Sequence, residues 1–388
     1  MKNLLISHGG APTAVINASL AGVIIELRKE GFDGKIFAAR FGSKGLYNED
    51  FIDLTNVTDK ELDLLKKTSG TAIGSSRFPL GDKEYEKIVD NLVKNNIGYL
   101  LFTGGNGSMD GLGKIYKHAK ARNVDVACVG IPKTIDNDIA VTDHAPGFPS
   151  AARYMAATIR DCWQDVRGLP IHCVIIEAMG RNAGWLTASS ALAREETNDA
   201  PQLLYFPEVA FDEEEFLKDV KRCYDTYGGF IVVASEGIHD KNGTPICTSK
   251  ESTSRSSYFG EVAVYLSELV TNKLGIKCRG EKPGIIARSC SYEQSPIDRK
   301  EAIMVGKAAA KAVLKEKNGV MVGIKRISNK PYRSKTFLVP IEEVMLTEAK
   351  MPLKYIAKNN HDITPEFVDW LKPLIGELPK GITFVNKK

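Results

Sequence analysis

Apolar and polar positions alternate along this chain on two length scales. Short apolar runs recur: NLLIS at 3–7, IGYLLF at 97–102, VDVACVGI at 124–131, IHCVIIEAM at 171–179 and GGFIVVAS at 228–235. Runs this short, rich in β-branched residues and bounded by turn formers, predict buried strands. Between them lie longer stretches at 14–31, 82–96, 108–123, 213–227 and 261–275, whose apolar residues recur at helical spacing. In the first, Gly31 reads as the stop; in the second, Ile88, Leu92 and Val93 form the inner face; in the third, Ser108 reads as the cap. This rhythm predicts an α/β fold with mainly parallel sheets covered by helices on both faces. Beyond it the pattern is more broken. Residues 299–317 read as a helix, and Thr364 and Pro365 carry N-cap and N1 chemistry for a last one with Phe367, Trp370 and Leu371 inward. There is no internal repeat and no low-complexity linker.

Length changes the picture first: 388 residues predict two domains or two interlocked lobes. A net charge of +4 gives no reason to expect a nucleic-acid partner, yet leaves room for local basic sites that take small anions. Seven cysteines without a C-x-x-C pair read as reduced thiols, and no Cys/His spacing suits a metal. MKNLLISHGG is not a signal peptide and no run reaches 18 apolar residues, so a cytoplasmic location without membrane attachment is expected.

The candidate chemistry gathers in four polar segments at predicted strand ends, where open parallel sheets bind ligands. They are SHGGAPTAVIN (7–17), TGGNGS (103–108), PKTIDND (132–138) and MGRNAGW (179–185), and they are expected in succession on one rim. TGGNGS alone fits a tight strand-to-helix turn as well as a phosphate cradle. It is neither a P-loop nor G-x-G-x-x-G, which leaves a Rossmann dehydrogenase without its fingerprint. PKTIDND says more. Lys133, Thr134, Asp136 and Asp138 supply a cation for phosphate, a hydroxyl to orient it, a carboxylate to take an alcohol proton, and a second carboxylate for hydrated Mg²⁺. A polar Asx-type loop is the alternative. Arg181 is expected at the start of a helix, where it suits delocalised phosphate charge or a plain salt bridge. Glu236 lies just past a strand end, in reach of sugar hydroxyls, and Arg279 and Arg288 flank an apolar run.

Taken in order, GG…P, SSRFP (75–79), GGNGS, PKTIDND, PGFPSAARY (146–154), MGRNAGW and SEG resemble the phosphofructokinase superfamily across essentially the whole chain. TAVINAS (13–19), Lys133 and the tail MPLKYI…DIT…WLKPLIGELP resemble its pyrophosphate-dependent branch. The resemblance implies two similar lobes: 1–147 plus 288–316 for the phosphoryl donor, and 148–287 plus 317–388 for the sugar phosphate. It implies phosphoryl transfer to the C1 hydroxyl of fructose 6-phosphate, as a homodimer or homotetramer with shared active sites. Asp136 is then the general base, Thr134 orients the phosphoryl group, and Arg181 and Lys133 meet its charge. Gly10, Ala11, Arg77, Gly105, Asn106, Gly107, Ser108 and Gly111 belong to the donor site. Asp138, with Asn106, belongs to Mg²⁺. Met179, Gly180 and Glu236 line the sugar, while Arg288, and Arg279 and His172 from a neighbouring subunit, meet its phosphate.

Four positions depart from the family. His172 replaces a usual Arg or Lys, Ile285 a usual His or Tyr at the sugar phosphate, Ala11 a common glycine, and Asn106 a usual Asp near Mg²⁺. The first two keep open a fructose derivative with another anionic terminal group. The donor marks are mixed: Gly107 matches ATP users and Lys133 matches pyrophosphate users. The whole likeness favours pyrophosphate, with ATP as the alternative. NAD kinase-like and lipid kinase-like enzymes share the glycine loop but leave PKTIDND and MGRNAGW unexplained. A non-catalytic subunit would have lost Asp136, which is present.

Overall fold

The computed structural model describes residues 2–170, 172–253, 256–259, 261–345 and 347–384. Ile171, the first residue of one predicted strand, lies outside them. The chain divides into two compact units, residues 1–150 with 288–349 and residues 151–287 with 350–388. Residues 148–150, expected in the sugar lobe, fall in the first unit, and so do 317–349, which complete it. The reason is edge pairing. Strands β12 (Val320–Asn329) and β13 (Tyr332–Pro340) form a hairpin, and β12 continues the first sheet by pairing parallel to β5 (Ala127–Pro132).

That sheet runs β13-β12-β5-β4-β1-β2-β3, with β1 at Asn3–His8, β2 at Ile36–Ala39, β3 at Phe51–Asp53 and β4 at Ile97–Gly104. Its centre is parallel, and only the edge strands β3 and β13 run antiparallel. Alternation along the strands builds two cores. Leu4, Ile6, Leu101 and Val129 face one way, against helices Ile16–Lys29 and Pro296–Leu314. Leu5, Leu100, Phe102 and Cys128 face the other, against helices Asp82–Lys94 and Asn106–Ala121. Ile88 and Leu92 are buried as expected, but Val93 is 55% exposed; Tyr85 and Val89 complete that inner face instead.

The second unit has a parallel sheet ordered β11-β6-β8-β7: β6 is Cys173–Ala178, β7 Leu203–Tyr205, β8 Phe230–Ser235 and β11 Cys278–Glu281. A separate two-stranded ribbon joins β9 (Thr248–Thr253) to β10 (Ser256–Phe259). Helices Glu213–Tyr227 and Val262–Leu274 pack on the parallel sheet through Phe216, Val220, Leu266 and Val270. The last helix spans Pro365–Ile375, with Thr364 at its N-cap and Phe367 and Leu371 fully buried. The Thr364 hydroxyl donates to the Lys354 carbonyl rather than capping the helix. Among the described residues, no helix is long and apolar enough to cross a membrane.

Candidate active site

β1, β4 and β5 are neighbours in the first sheet, so the loops at their carboxyl ends lie side by side. These are the first three predicted segments. The fourth, 179–185, follows β6 and therefore stands on the other sheet; the expected single rim is two rims. Apolar runs alone cannot report which sheet a strand joins.

In the glycine loop, Gly105 takes the N-cap position of helix Asn106–Ala121. Ser108 is thus not the cap. It sits in the first turn of the helix, 8% exposed, with the backbones of Gly9 and Gly104 passing directly over it. A side chain on Gly104 would occupy the space of the Ser108 hydroxyl, so this glycine serves close approach of strand and helix. Gly107 is exposed, and a Cβ added there would meet nothing within 4 Å. Gly111 is buried inside the helix, near Phe102 and Tyr85.

The PKTIDND loop is tied to its neighbours atom by atom. Lys133 is 4% exposed and its Nζ donates to the Ala11 carbonyl at 2.5 Å, close beside Gly10. Burial pulls the Lys133 pKa down to about 8; Asp136 and Asp138 oppose that shift, and Arg288 and Arg77 reinforce it. Four expected site residues thus lie within electrostatic reach of Lys133. Ser75 Oγ donates to the Gly10 carbonyl at 2.6 Å, and Gly9 bridges to Ser76, which brings the exposed Arg77 beside the end of β1.

Thr134 Oγ1 donates to Asp138 Oδ1 at 3.0 Å and accepts from the Asp136 backbone N–H at 3.1 Å. Asn106 Nδ2 donates to Asp138 Oδ2 at 2.9 Å and to the Asp138 carbonyl at 3.0 Å. Burial raises the Asp138 pKa and Glu348 adds to the rise, while the bonds from Thr134 and Asn106 oppose it. Glu348 had no signal in the sequence. It arrives through a bridge to Ile139, with the Ala349 N–H donating to the Asp138 carbonyl at 2.8 Å. The other polar side-chain atom of Asn106, Oδ1, is buried without a hydrogen-bond partner.

In the second unit, β6 and β8 are neighbours and their carboxyl-end loops interlock. The Glu236 N–H donates to the Ala178 carbonyl at 2.9 Å, and Ser235 Oγ donates to the Gly180 carbonyl at 2.8 Å. Gly237 lies directly beneath the Arg181 carbonyl, and any side chain there would overlap that oxygen. This explains the third residue of SEG. Arg181 itself is half-buried in the loop, since the helix begins only at Trp185. Glu208 clamps the same loop: its Oε1 accepts from Gly184 N–H at 2.8 Å and Met351 N–H at 3.1 Å. Glu236 is half-buried; burial raises its pKa, Arg181 counters, and Glu177 adds to the rise. Met179 lies half-buried at the end of β6.

At the opposite end of β6, His172 is 5% exposed, with Nδ1 buried and unpartnered. Burial lowers its pKa, and Arg279 and Lys277 lower it further. Arg279 is exposed on β11. Ile285 is 65% exposed and opens the short helix that carries the half-buried Arg288.

The geometry has counterparts elsewhere. Residues 3–313 match the family model described as Phosphofructokinase. A pyrophosphate–fructose 6-phosphate 1-phosphotransferase from Xanthomonas campestris pv. campestris is 39% identical, over 97% of this chain and 92% of that protein. A sulfofructose kinase from Alkalicoccus urumqiensis is 31% identical, over 96% of this chain and 95% of its own. The crystal structure of a pyrophosphate-dependent phosphofructokinase from Marinobacter aquaeolei superposes with a TM-score of 0.89 at 34% identity, covering 99% of this chain and 94% of that one. With its glycine loop, its PKTIDND loop and its interlocked MGRNAGW and SEG loops on these strands, the chain belongs to the phosphofructokinase family.

Proposed function

We propose that this protein transfers a phosphoryl group from pyrophosphate to the C1 hydroxyl of fructose 6-phosphate, giving fructose 1,6-bisphosphate and orthophosphate. The observation that carries this reading is the convergence of Arg77 and Arg288 on Lys133, Asp136 and Asp138, which lie in the loop that follows β5. Asp136 takes the C1 hydroxyl proton as the oxygen bonds to phosphorus and the bridging P–O bond of pyrophosphate breaks. Thr134, fixed by Asp138 and the Asp136 amide, orients the transferring group. Lys133 neutralises donor charge, and Arg181 stabilises the charge that develops. Met179, Gly180 and Glu236 hold the sugar, and Arg288 its phosphate.

Mg²⁺ fits the residues present. Among the described residues no three His, Cys, Asp or Glu side chains form a metal cage. Mg²⁺ favours one or two carboxylates plus waters and substrate phosphates. Asp138 supplies the carboxylate, and the unpartnered Asn106 Oδ1 is an acceptor for a metal-bound water. When bound, the ion neutralises charge on the donor phosphates.

The open space beside Gly107 also admits a longer donor, so ATP is the alternative. A second acceptor, sulfofructose, is favoured by His172 and by the sulfofructose kinase relative. A histidine held toward its neutral form offers a hydrogen bond without charge, which suits a monoanionic sulfonate better than a phosphate dianion. A homo-oligomer in the cytoplasm belongs to the same reading, and light scattering of the purified protein tests the assembly. The deciding assay compares kcat/KM for pyrophosphate and ATP with fructose 6-phosphate and Mg²⁺, then exchanges the acceptor for sulfofructose. Turnover with pyrophosphate and fructose 6-phosphate is expected to dominate; its absence overturns the reading.

A further inference from the structure

Behind the PKTIDND loop lies a buried ionic network that the reaction does not consume. His144 is 1% exposed, and both ring nitrogens face carboxylates: Nδ1 lies 2.7 Å from Asp143 Oδ1 and Nε2 lies 2.6 Å from Glu301 Oε2. A neutral imidazole has one N–H and satisfies only one of these contacts; an imidazolium donates to both.

The surrounding groups accord with that state. Asp143, on the same loop, accepts from Arg326 of β12. Glu301, on helix Pro296–Leu314, accepts at its other oxygen from Tyr332 and Ser334 of β13, at 2.7 and 2.5 Å. One turn earlier on that helix, Asp298 accepts from the Gly147 and Ser150 N–H groups at 2.9 and 3.0 Å. These contacts reach the catalytic loop directly. The Ala145 N–H donates to Asn137 Oδ1 at 3.0 Å, and the Thr134 N–H donates to the Pro146 carbonyl at 3.2 Å. Residues 143–147 therefore form the wall against which Thr134, Asp136 and Asp138 are set.

We propose that His144 is a positioning residue, a buried imidazolium pinned between Asp143 and Glu301 that fixes the loop carrying Thr134, Asp136 and Asp138. This rests on the phosphotransfer reading above for its effect on turnover, but not for its charge state. Burial opposes that charge, yet Glu301 and Asp143 outweigh burial and push the His144 pKa up to about 9. Burial likewise opposes ionisation of Asp143, but His144 and Arg326 hold its pKa at about 2. The pin is therefore complete at neutral pH and is lost as pH rises through about 9.

Two measurements test it. In wild-type protein labelled with ¹⁵N-histidine, the His144 ring, identified by its loss in H144Q or by its titration, is expected to show two protonated nitrogens at neutral pH. One bare nitrogen there overturns the proposal, whatever the enzyme's activity. In steady-state assays, H144Q is expected to lower kcat about 10- to 100-fold, with both KM values nearly unchanged, because sub-ångström displacement of reacting groups costs rate more than binding. H144K, which restores a cation, is expected to recover part of kcat and to move the alkaline limb of the kcat profile upward. Equal kcat in H144Q and H144K, or an alkaline limb that stays in place in both, overturns it. Wild-type enzyme that fails to phosphorylate fructose 6-phosphate with either donor would refute the functional reading, while the ring-nitrogen spectrum still decides the proposal.

Discussion

The loops of the two units are held in different ways. In the first unit each charged side chain is held by neutral groups: Lys133 by the Ala11 carbonyl, and Asp138 by the Asn106 amide and the Thr134 hydroxyl. In the second, the backbone carries the order. Ser235 grips the Gly180 carbonyl, Gly237 fits beneath Arg181, and Glu208 accepts two backbone N–H groups. Arg181 and Glu236 are then presented half-buried at the ends of rigid turns. The difference teaches which errors each site tolerates. A loop built on side-chain bonds to charged groups fails through loss of a charge, whereas a backbone-defined loop fails through steric change at a residue with no chemistry of its own.

The largest effect expected sharpens the first half of that comparison. Asp136→Ala removes the proposed base and should lower kcat about 10²–10⁴-fold in a coupled assay, with substrate binding retained. Breaking the second half needs no chemical group at all. Gly237→Ala forces the Arg181 carbonyl to move and should cost about 10²-fold in kcat. Calorimetric titration with pyrophosphate should be unchanged, because the proposed donor loops belong to the other unit.

Lys133→Met should raise the KM for pyrophosphate by roughly tenfold or more, on the order of the 1.5–3 kcal/mol of a hydrogen bond to a charged group. It carries a pH signature. The Lys133 cation is present below about pH 8 and is lost above it, so wild-type kcat/KM for pyrophosphate should fall as pH rises through that value. The Met variant should lack this limb. The smallest effect expected is that of Gly107→Asp. The space beside Gly107 is open, so pyrophosphate turnover should change little, while any ATP turnover should be lost to steric and charge exclusion. Comparing the two donors before and after the substitution measures that loss.

Much of the site was legible because its chemistry is contiguous. Lys133, Thr134, Asp136 and Asp138 fall within one loop, and the strand before it is a plain apolar run. Asn106 and Gly107 stand out in their glycine loop in the same way, whereas Arg181, expected at the start of a helix, lies in the loop before it. The partition at 317–349 was not legible, since a hairpin of alternating residues does not say which sheet it joins. Ser108 has the short hydroxyl side chain of a cap, but the helix starts at Asn106 with Gly105 at its N-cap. Glu348 carries no local mark and matters for its charge beside Asp138, and Gly237, marked only as the end of SEG, matters for the Arg181 carbonyl that passes above it.

The sequence by itself determined which segments become strands and helices, and which loops carry chemical groups, because side-chain periodicity records the face each segment must bury. It also determined the family, through motifs whose order survives reading along a line. Packing of the whole chain decided that MGRNAGW belongs to a second sheet and that His144 meets Glu301 157 positions away. Periodicity says that a face is buried and leaves open what buries it. Contacts between distant segments are chosen when the whole chain packs, and the loop that carries Asp136 takes its fixed shape from those contacts.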